Sequence, residues 1–227
     1  MTETVNRRNP IQHLLELRGP EFRMINGGTF AVRFPSVESE DSARRTLGLC
    51  DLSGLAKLGL KGRDAAGWLA TQDVDVPPAV YESRDLADGG VIVRIGADEF
   101  LLESGISGRS VSALAEQFRS RDPHTGRLER IERQEATFAL CGAQALDVLR
   151  QTCSIHFDDV LPRHFLWTRV AGVNCGIIKN AIGPVQGFRL WADCSYAEYL
   201  WETLAEICAS LDGRVIGAAA IFPDLLR

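Results

Sequence analysis

The stretch LGLKGRDAAGWL (residues 58–69) reads as a strand, a glycine turn and the start of a helix, and FALCGAQALDVL (residues 138–149) reads the same way eighty positions later. Leu60, Gly62, Ala65 and Leu69 fall in register with Leu140, Gly142, Ala145 and Leu149. Glycine supplies the left-handed turn between strand and helix without a steric penalty, and the apolar residues after it recur at helical spacing. A unit of this size cannot bury both faces of its sheet alone, whereas two copies can cover each other.

Working outward, TFAVRF (29–34) alternates as a strand, and the first helix, opening at Asp64, stops before Pro77-Pro78. GGVIVRI and EFLLES read as two strands joined at 96–98, followed by a helix carrying Val111, Leu114, Ala115 and Phe118. The second half repeats the order: a strand over 136–140, a helix over 144–152, strands near 165–170, 173–178 and 187–191, and a last helix over 195–211. The expected fold class is α+β, an internally duplicated domain of two strand-helix-strands-helix half-units related by a pseudo-two-fold. The halves span about 29–120 and 135–212 within a single domain, 21–227, and residues 1–20 form a tail or partner-contacting segment. Such an arrangement leaves a cleft where the halves meet, the kind of place ligands favour.

The charged segment at 119–135, with five arginines and four acids, reads as a solvated connection because its charges nearly cancel. In DCSYAEYLWETL (193–204), Ser195 and Glu198 have the spacing of a capping box. The helix that follows carries two adjacent apolar stripes, one through Tyr196, Leu200 and Leu204 and one through Ala197, Trp201 and Cys208. One stripe suffices for a core helix, so the second points to another subunit or a cleft, or to deep burial within the domain.

A composition of 45% hydrophobic and 24% charged residues is that of a globular protein, and a net charge of −5 argues against nucleic-acid binding. The six cysteines include no CxxC pair and read as small buried hydrophobes in a reducing, cytoplasmic setting. The N-terminus lacks the apolar core of a signal peptide, and the longest apolar run, near 215–222, is too short to cross a bilayer. His13, His124, His156 and His164 are scattered, no nucleophile elbow or phosphate-binding loop is present, and His156, Asp158 and Asp159 have no matching second ligand cluster. No catalytic residue and no metal site is expected.

The segment LCDLSGLAKLGLKGRDAAGWLATQ (49–72), with its Asp-x-Ser ahead of strand, glycine and helix, resembles the glycine-cleavage T-protein (aminomethyltransferase) family. GFRLWADCSYAEYLWETL (187–204) is closer to one branch, the gamma subunits of heterotetrameric sarcosine oxidases and related complexes. The resemblance runs from about residue 45 to 211 and implies a duplicated folate-binding-type domain. Three departures qualify it. Gly89-Gly90 runs directly into VIVRI, where family enzymes keep an acid for chemistry at the folate nitrogens; Glu103-Ser104-Gly105 replaces an Asn-containing segment; and NAIGPVQGF (180–188) lacks the pterin-holding carboxylate.

The resemblance therefore implies a non-catalytic gamma-type subunit of a sarcosine oxidase-like flavoenzyme that N-demethylates a secondary amine and passes the one-carbon unit to tetrahydrofolate. It implies alpha, beta and delta-type subunits as partners, neither nucleic acid nor membrane, and FAD, FMN, NAD and tetrahydrofolate held elsewhere in the complex. Arg94, Glu103, Lys179 and Arg189 are the candidates for lining a degenerate cleft, and Leu14, Leu17, Tyr199 and Trp201 are the expected interface. The alternative is a stand-alone tetrahydrofolate-dependent aminomethyltransferase whose acid comes from a position such as Glu103.

Overall fold

A computed structural model describes residues 9–35, 37–122, 126–179, 182 and 185–226. The chain divides into two compact units, one formed by residues 1–54, 135–162 and 166–227 and the other by 55–134 and 163–165. The first unit opens with α1 (Gln12–Glu16), β1 (Glu21–Ile25), β2 (Gly28–Arg33), α2 (Val37–Thr46) and β3 (Gly48–Asp51). The second holds β4 (Lys57–Lys61), α3 (Ala65–Thr71), β5 (Ser83–Asp85), β6 (Val91–Gly96), β7 (Glu99–Glu103), α4 (Ser110–Ser120) and β8 (Glu129–Ile131). The chain then returns to the first unit with β9 (Glu135–Cys141), α5 (Ala145–Thr152), β10 (Phe165–Val170), β11 (Val173–Lys179), β12 (Gly187–Asp193), α6 (Ala197–Ser210), β13 (Arg214–Val215) and α7 (Ala218–Ile221).

The class is α+β, as expected. The first unit's main sheet runs β10-β11-β12-β9-β3-β13 and the second unit's runs β5-β6-β7-β4-β8. The connection order repeats: in each sheet the unit's long first strand lies beside the second strand of its hairpin and, on its other side, beside a strand from elsewhere in the sequence. That outside strand alters the expected boundaries. Residues 29–54, assigned above to the first half, belong with residues 135–162 and 166–227, because β3 pairs antiparallel with β9. Residues 129–131, expected to be part of a solvated connection, form β8 and pair antiparallel with β4.

Each unit closes its own core. In the first, Leu49, Phe138, Leu140, Ile177 and Leu190 from the sheet meet Val148 and Leu149 of α5 and Leu200, Trp201 and Leu204 of α6. In the second, Leu58, Leu60, Ile92, Phe100 and Leu102 meet Ala65 and Leu69 of α3 and Val111 and Leu114 of α4. Trp201 is 1% exposed, with its ring 5.2 Å from that of Phe138, so the second stripe of α6 is core and Trp201 is not an interface anchor. No helix among the described residues is long and apolar enough to cross a membrane.

The N-terminal segment also differs from expectation. Ile11 and Leu15 are fully buried in the first unit's core, and Leu14 packs against it, so residues 9–16 order against their own chain and Leu14 is spent inside it. The α6 cap is different too. Asp193 Oδ1 accepts from Ser195 N at 2.8 Å and Ser195 Oγ at 2.6 Å, while Glu198 lies 3.5 Å from His13 Nε2.

The glycines of the two turns both lie at positive φ. Gly62 and Gly142 have φ of 131° and 99°, and each carbonyl accepts from the amide three residues on, at Ala65 and Ala145. A Cβ on Gly142 would lie 2.5 Å from Thr46 O, whereas one on Gly67, inside α3, would meet nothing within 4 Å. Gly142→Ala should therefore destabilise the chain by about 2–4 kcal/mol through backbone strain and overpacking. Gly67→Ala should stabilise it by about 0.5–1 kcal/mol through helix propensity. Urea unfolding of both variants checks the opposite signs.

Candidate functional site

The carboxylate that could serve chemistry is Glu103, at the end of β7. Residues opposite one another across a sheet share a face, and Glu103 stands opposite Lys57 on β4 and opposite Val91 on β6. Lys57 Nζ lies 3.2 Å from Glu103 Oε2, with side chains 3% and 0% exposed, and also donates to Leu55 O at 3.3 Å. Val91 occupies the third place in the row and is apolar and buried. This buried acid is therefore held by a buried counter-ion. Proton transfer needs a carboxylate within hydrogen-bond reach of its substrate, and this one is committed to an ammonium and closed to solvent.

The glycines ahead of Val91 serve a structural knot. Asp88 accepts from the amides of Gly90 at 3.0 Å, Gly105 at 3.1 Å and Ser110 at 2.9 Å, which joins the β5–β6 turn to the start of α4. A Cβ on Gly105 would fall 1.9 Å from Asp88 O, and one on Gly90 would fall 2.3 Å from Glu103 O. Burial tends to raise the Asp88 pKa, but the hydrogen bonds from Ser110, Gly105 and Gly90 outweigh it and leave the group below the usual aspartate range. A depressed pKa means that Asp88 stabilises the fold above the ordinary aspartate pKa, and this contribution is lost as the pH falls through the lowered value. Sequence reasoning passed over this acid, although an Asp before Gly-Gly is a turn signal in its own right.

The remaining cleft candidates do not converge. Arg94 donates to the carbonyls of Pro78 at 2.7 Å and Ala97 at 2.6 Å and lies over the Phe100 ring, on the opposite sheet face from Glu103. In the first unit, Lys179 opposes Phe188 and donates to Phe157 O at 3.2 Å, while Arg189 opposes Ile178 on the other face, buried against Trp191. Part of the 180–188 loop, including Asn180 and Pro184, lies outside the described residues, as does His124.

The Asp-x-Ser motif is a fastening. Asp51, buried, accepts from Asn9 Nδ2 through Oδ2 and from Ser53 N and Oγ through Oδ1, and Ser53 Oγ accepts from Thr137 N at 3.1 Å. These bonds tie the N-terminal segment and β3 to β9. Of the cysteines, Cys50, Cys141, Cys175 and Cys208 are buried, as expected. Burial pushes the last three thiols up to about 12 and raises Cys50 well above the ordinary thiol range, so none is a thiolate nucleophile. Cys153 is half-buried and Cys194 exposed. Asp158 pairs with Arg150, and no group of three or more His, Cys, Asp or Glu suited to a metal gathers among the described residues. Of the expected interface residues, Leu17 is 83% exposed, and Tyr199 is 54% exposed with its hydroxyl donating to Ala171 O.

Removing one member of a buried ion pair leaves the other charge uncompensated. Glu103→Gln should cost about 3–5 kcal/mol in urea unfolding, and the double change Lys57→Met, Glu103→Leu should recover most of that loss, because an apolar pair of similar volume carries no desolvation penalty.

Residues 12–227 match the GCVT N-terminal domain family. An aminomethyltransferase of Exiguobacterium sibiricum is 24% identical over 91% of this chain and 60% of its own length, and one of Desulfitobacterium hafniense is 26% identical over 100% and 64%. The chain thus spans under two thirds of the length of these curated relatives. Among solved structures, the glycine cleavage system aminomethyltransferase T of Bartonella henselae superposes with a TM-score of 0.76 at 20% identity, over 93% of this chain and 60% of that one. A chain of the heterotetrameric sarcosine oxidase of Corynebacterium sp. U-96 superposes with a TM-score of 0.60 at 20% identity, over 87% of this chain and 92% of that one. A family match over nearly the whole chain, carried on the fold those structures share, establishes that the chain belongs to the GCVT N-terminal domain family.

Proposed function

We propose that this chain is a non-catalytic, gamma-type subunit of a heterotetrameric sarcosine oxidase-like flavoenzyme. In that reading a secondary amine is oxidatively N-demethylated on alpha, beta and delta-type partners, which hold FAD, FMN, NAD and tetrahydrofolate, and this chain supplies structure. The observation that carries the proposal is the Lys57–Glu103 pair beside Val91: the acid that a one-carbon transfer would need is withheld by an internal counter-ion. Tetrahydrofolate does not fit this row, because its pterin N–H groups would face an apolar Val91 and a Glu103 whose charge is already matched. The near-complete coverage of the sarcosine oxidase chain agrees with the proposal. Six free cysteines suit a reducing, cytoplasmic setting.

The competing reading, a stand-alone aminomethyltransferase, is favoured by the higher TM-score to the Bartonella henselae enzyme. It requires Glu103 to be released from Lys57.

Affinity purification of the chain from its native source, followed by flavin spectroscopy and calorimetry with tetrahydrofolate, separates the two. Co-elution with flavin-bearing subunits, and no heat from the isolated chain, is the expected outcome. Micromolar tetrahydrofolate binding by the isolated chain, or recovery without any flavin protein, overturns the proposal.

A further inference from the structure

A cavity of about 410 Å³ in the first unit is lined by Arg18, Phe34, Glu40, Ala205, Arg214 and Val215, among others. Its polar centre is Glu40, on α2, which is 5% exposed. Both amides that fasten this side chain use the same oxygen: Phe34 N donates to Oε1 at 2.7 Å and Gly217 N at 3.2 Å. No donor among the described residues reaches Oε2, and the side chain borders the cavity. A carboxylate oxygen beside a cavity, with no donor on it among the described residues, is an acceptor open to a ligand's donor. The other polar groups are arginines. Arg18 and Arg214 line the cavity and are exposed, and the rest of its lining includes the apolar residues Phe34, Pro35, Ala205 and Val215. Burial raises the Glu40 pKa, and the two amides and the charge of Arg33 oppose that shift.

The arrangement selects by charge. A plain cation that reached Glu40 would share the cavity with two guanidinium groups, and a plain anion that reached the arginines would face a buried carboxylate. A molecule carrying both charges a few atoms apart satisfies both ends, and an aliphatic substituent matches the walls. We propose that this cavity binds a free α-amino acid with an aliphatic side chain, its ammonium on Glu40 and its carboxylate on Arg18 and Arg214. The site lies wholly within the first unit, does not involve Glu103, and is independent of the subunit role proposed above.

Calorimetry of the purified full chain with three probes tests the assignment: leucine, 4-methylpentanoate, which lacks the ammonium, and 3-methylbutylamine, which lacks the carboxylate. Leucine should bind, and each single-charge analogue should bind about tenfold or more weakly, the equivalent of one lost charge-assisted contact. Glu40→Gln retains an acceptor oxygen for the Phe34 and Gly217 amides but removes the charge, and it should weaken leucine by about the same factor. Should that variant unfold, Arg214→Gln, at the exposed mouth, should give the same loss with an unchanged melting temperature. Absence of leucine binding at millimolar concentration overturns the proposal and leaves Glu40 as a strut between Phe34 and Gly217. Equal binding of the amine or of the carboxylate overturns it in favour of a singly charged ligand.

Discussion

A carbonyl oxygen seated against a glycine, at two matching turns, is the constraint from which the rest of this fold follows. At Gly62 the space where a Cβ would stand is 2.0 Å from Arg127 O, and at Gly142 it is 2.5 Å from Thr46 O. Those carbonyls also accept the amides that open the helices: Asp64 N donates to Arg127 O and Gln144 N to Thr46 O. Because only glycine admits a carbonyl so close at positive φ, each turn both launches its helix and docks the segment that leads into β8 or β3. The strand that follows each docked segment then has one place to go, the open edge of β4 or β9. The chain consequently enters the second unit directly after placing β3 in the first, and re-enters the first directly after placing β8 in the second.

That wiring explains why Glu103 and Asp51, in the middle of these sheets, are paired. The row Val91, Glu103, Lys57 lies across three adjacent strands and the fastening at Asp51 sits where β3 meets β9, so both occupy positions that the sheet itself buries. A buried polar group without a partner costs about 1–3 kcal/mol, and a buried charge considerably more. Ser53 and Asn9 answer Asp51, Thr137 answers Ser53, and Lys57 answers Glu103. An acid kept for chemistry would instead be left with an open oxygen. Glu40, whose donors among the described residues both use one oxygen, has that character.

Much of the fold was legible because its period-2 and period-3.6 segments are long. The strands near 136–140, 165–170, 173–178 and 187–191 and the helices after Gly62 and Gly142 lie where the pattern put them, within a residue or two. The strands that escaped notice are short: β1 has 5 residues, β3 has 4, β5 and β8 have 3 each and β13 has 2. Periodicity over so few positions carries no signal, and the partners of β3, β8 and β13 are distant in sequence. Charge misled in the same region, since Glu129–Ile131 looks solvated by composition but gains its place from backbone bonding to β4. Width misled on α6, where two apolar stripes suggested a partner. Phe138 packs against Trp201, and the second stripe lies within the first unit's core cluster. The site was less legible than the fold, because spacing places residues on strands but does not say which strand lies opposite. Lys57 and Glu103 are separated by 46 positions and meet only through the β4–β7 register.

The buried pair bears on function through specificity more than stability. Desolvating an ammonium and a carboxylate offsets most of their attraction, so an apolar pair would hold the sheet at least as well. Charges in such a place restrict the register instead: sliding β7 by one residue along β4 would turn Glu103 to the helix-covered face and leave Lys57 alone on the other. The ion pair thus fixes the strand that carries the family's altered Glu103-Ser104-Gly105 segment, and Ser104 Oγ then accepts from Val111 N to set the start of α4. A carboxylate used in this way is part of the frame. Freeing it for proton transfer would remove the charge that holds Lys57 and loosen the strand on which it stands.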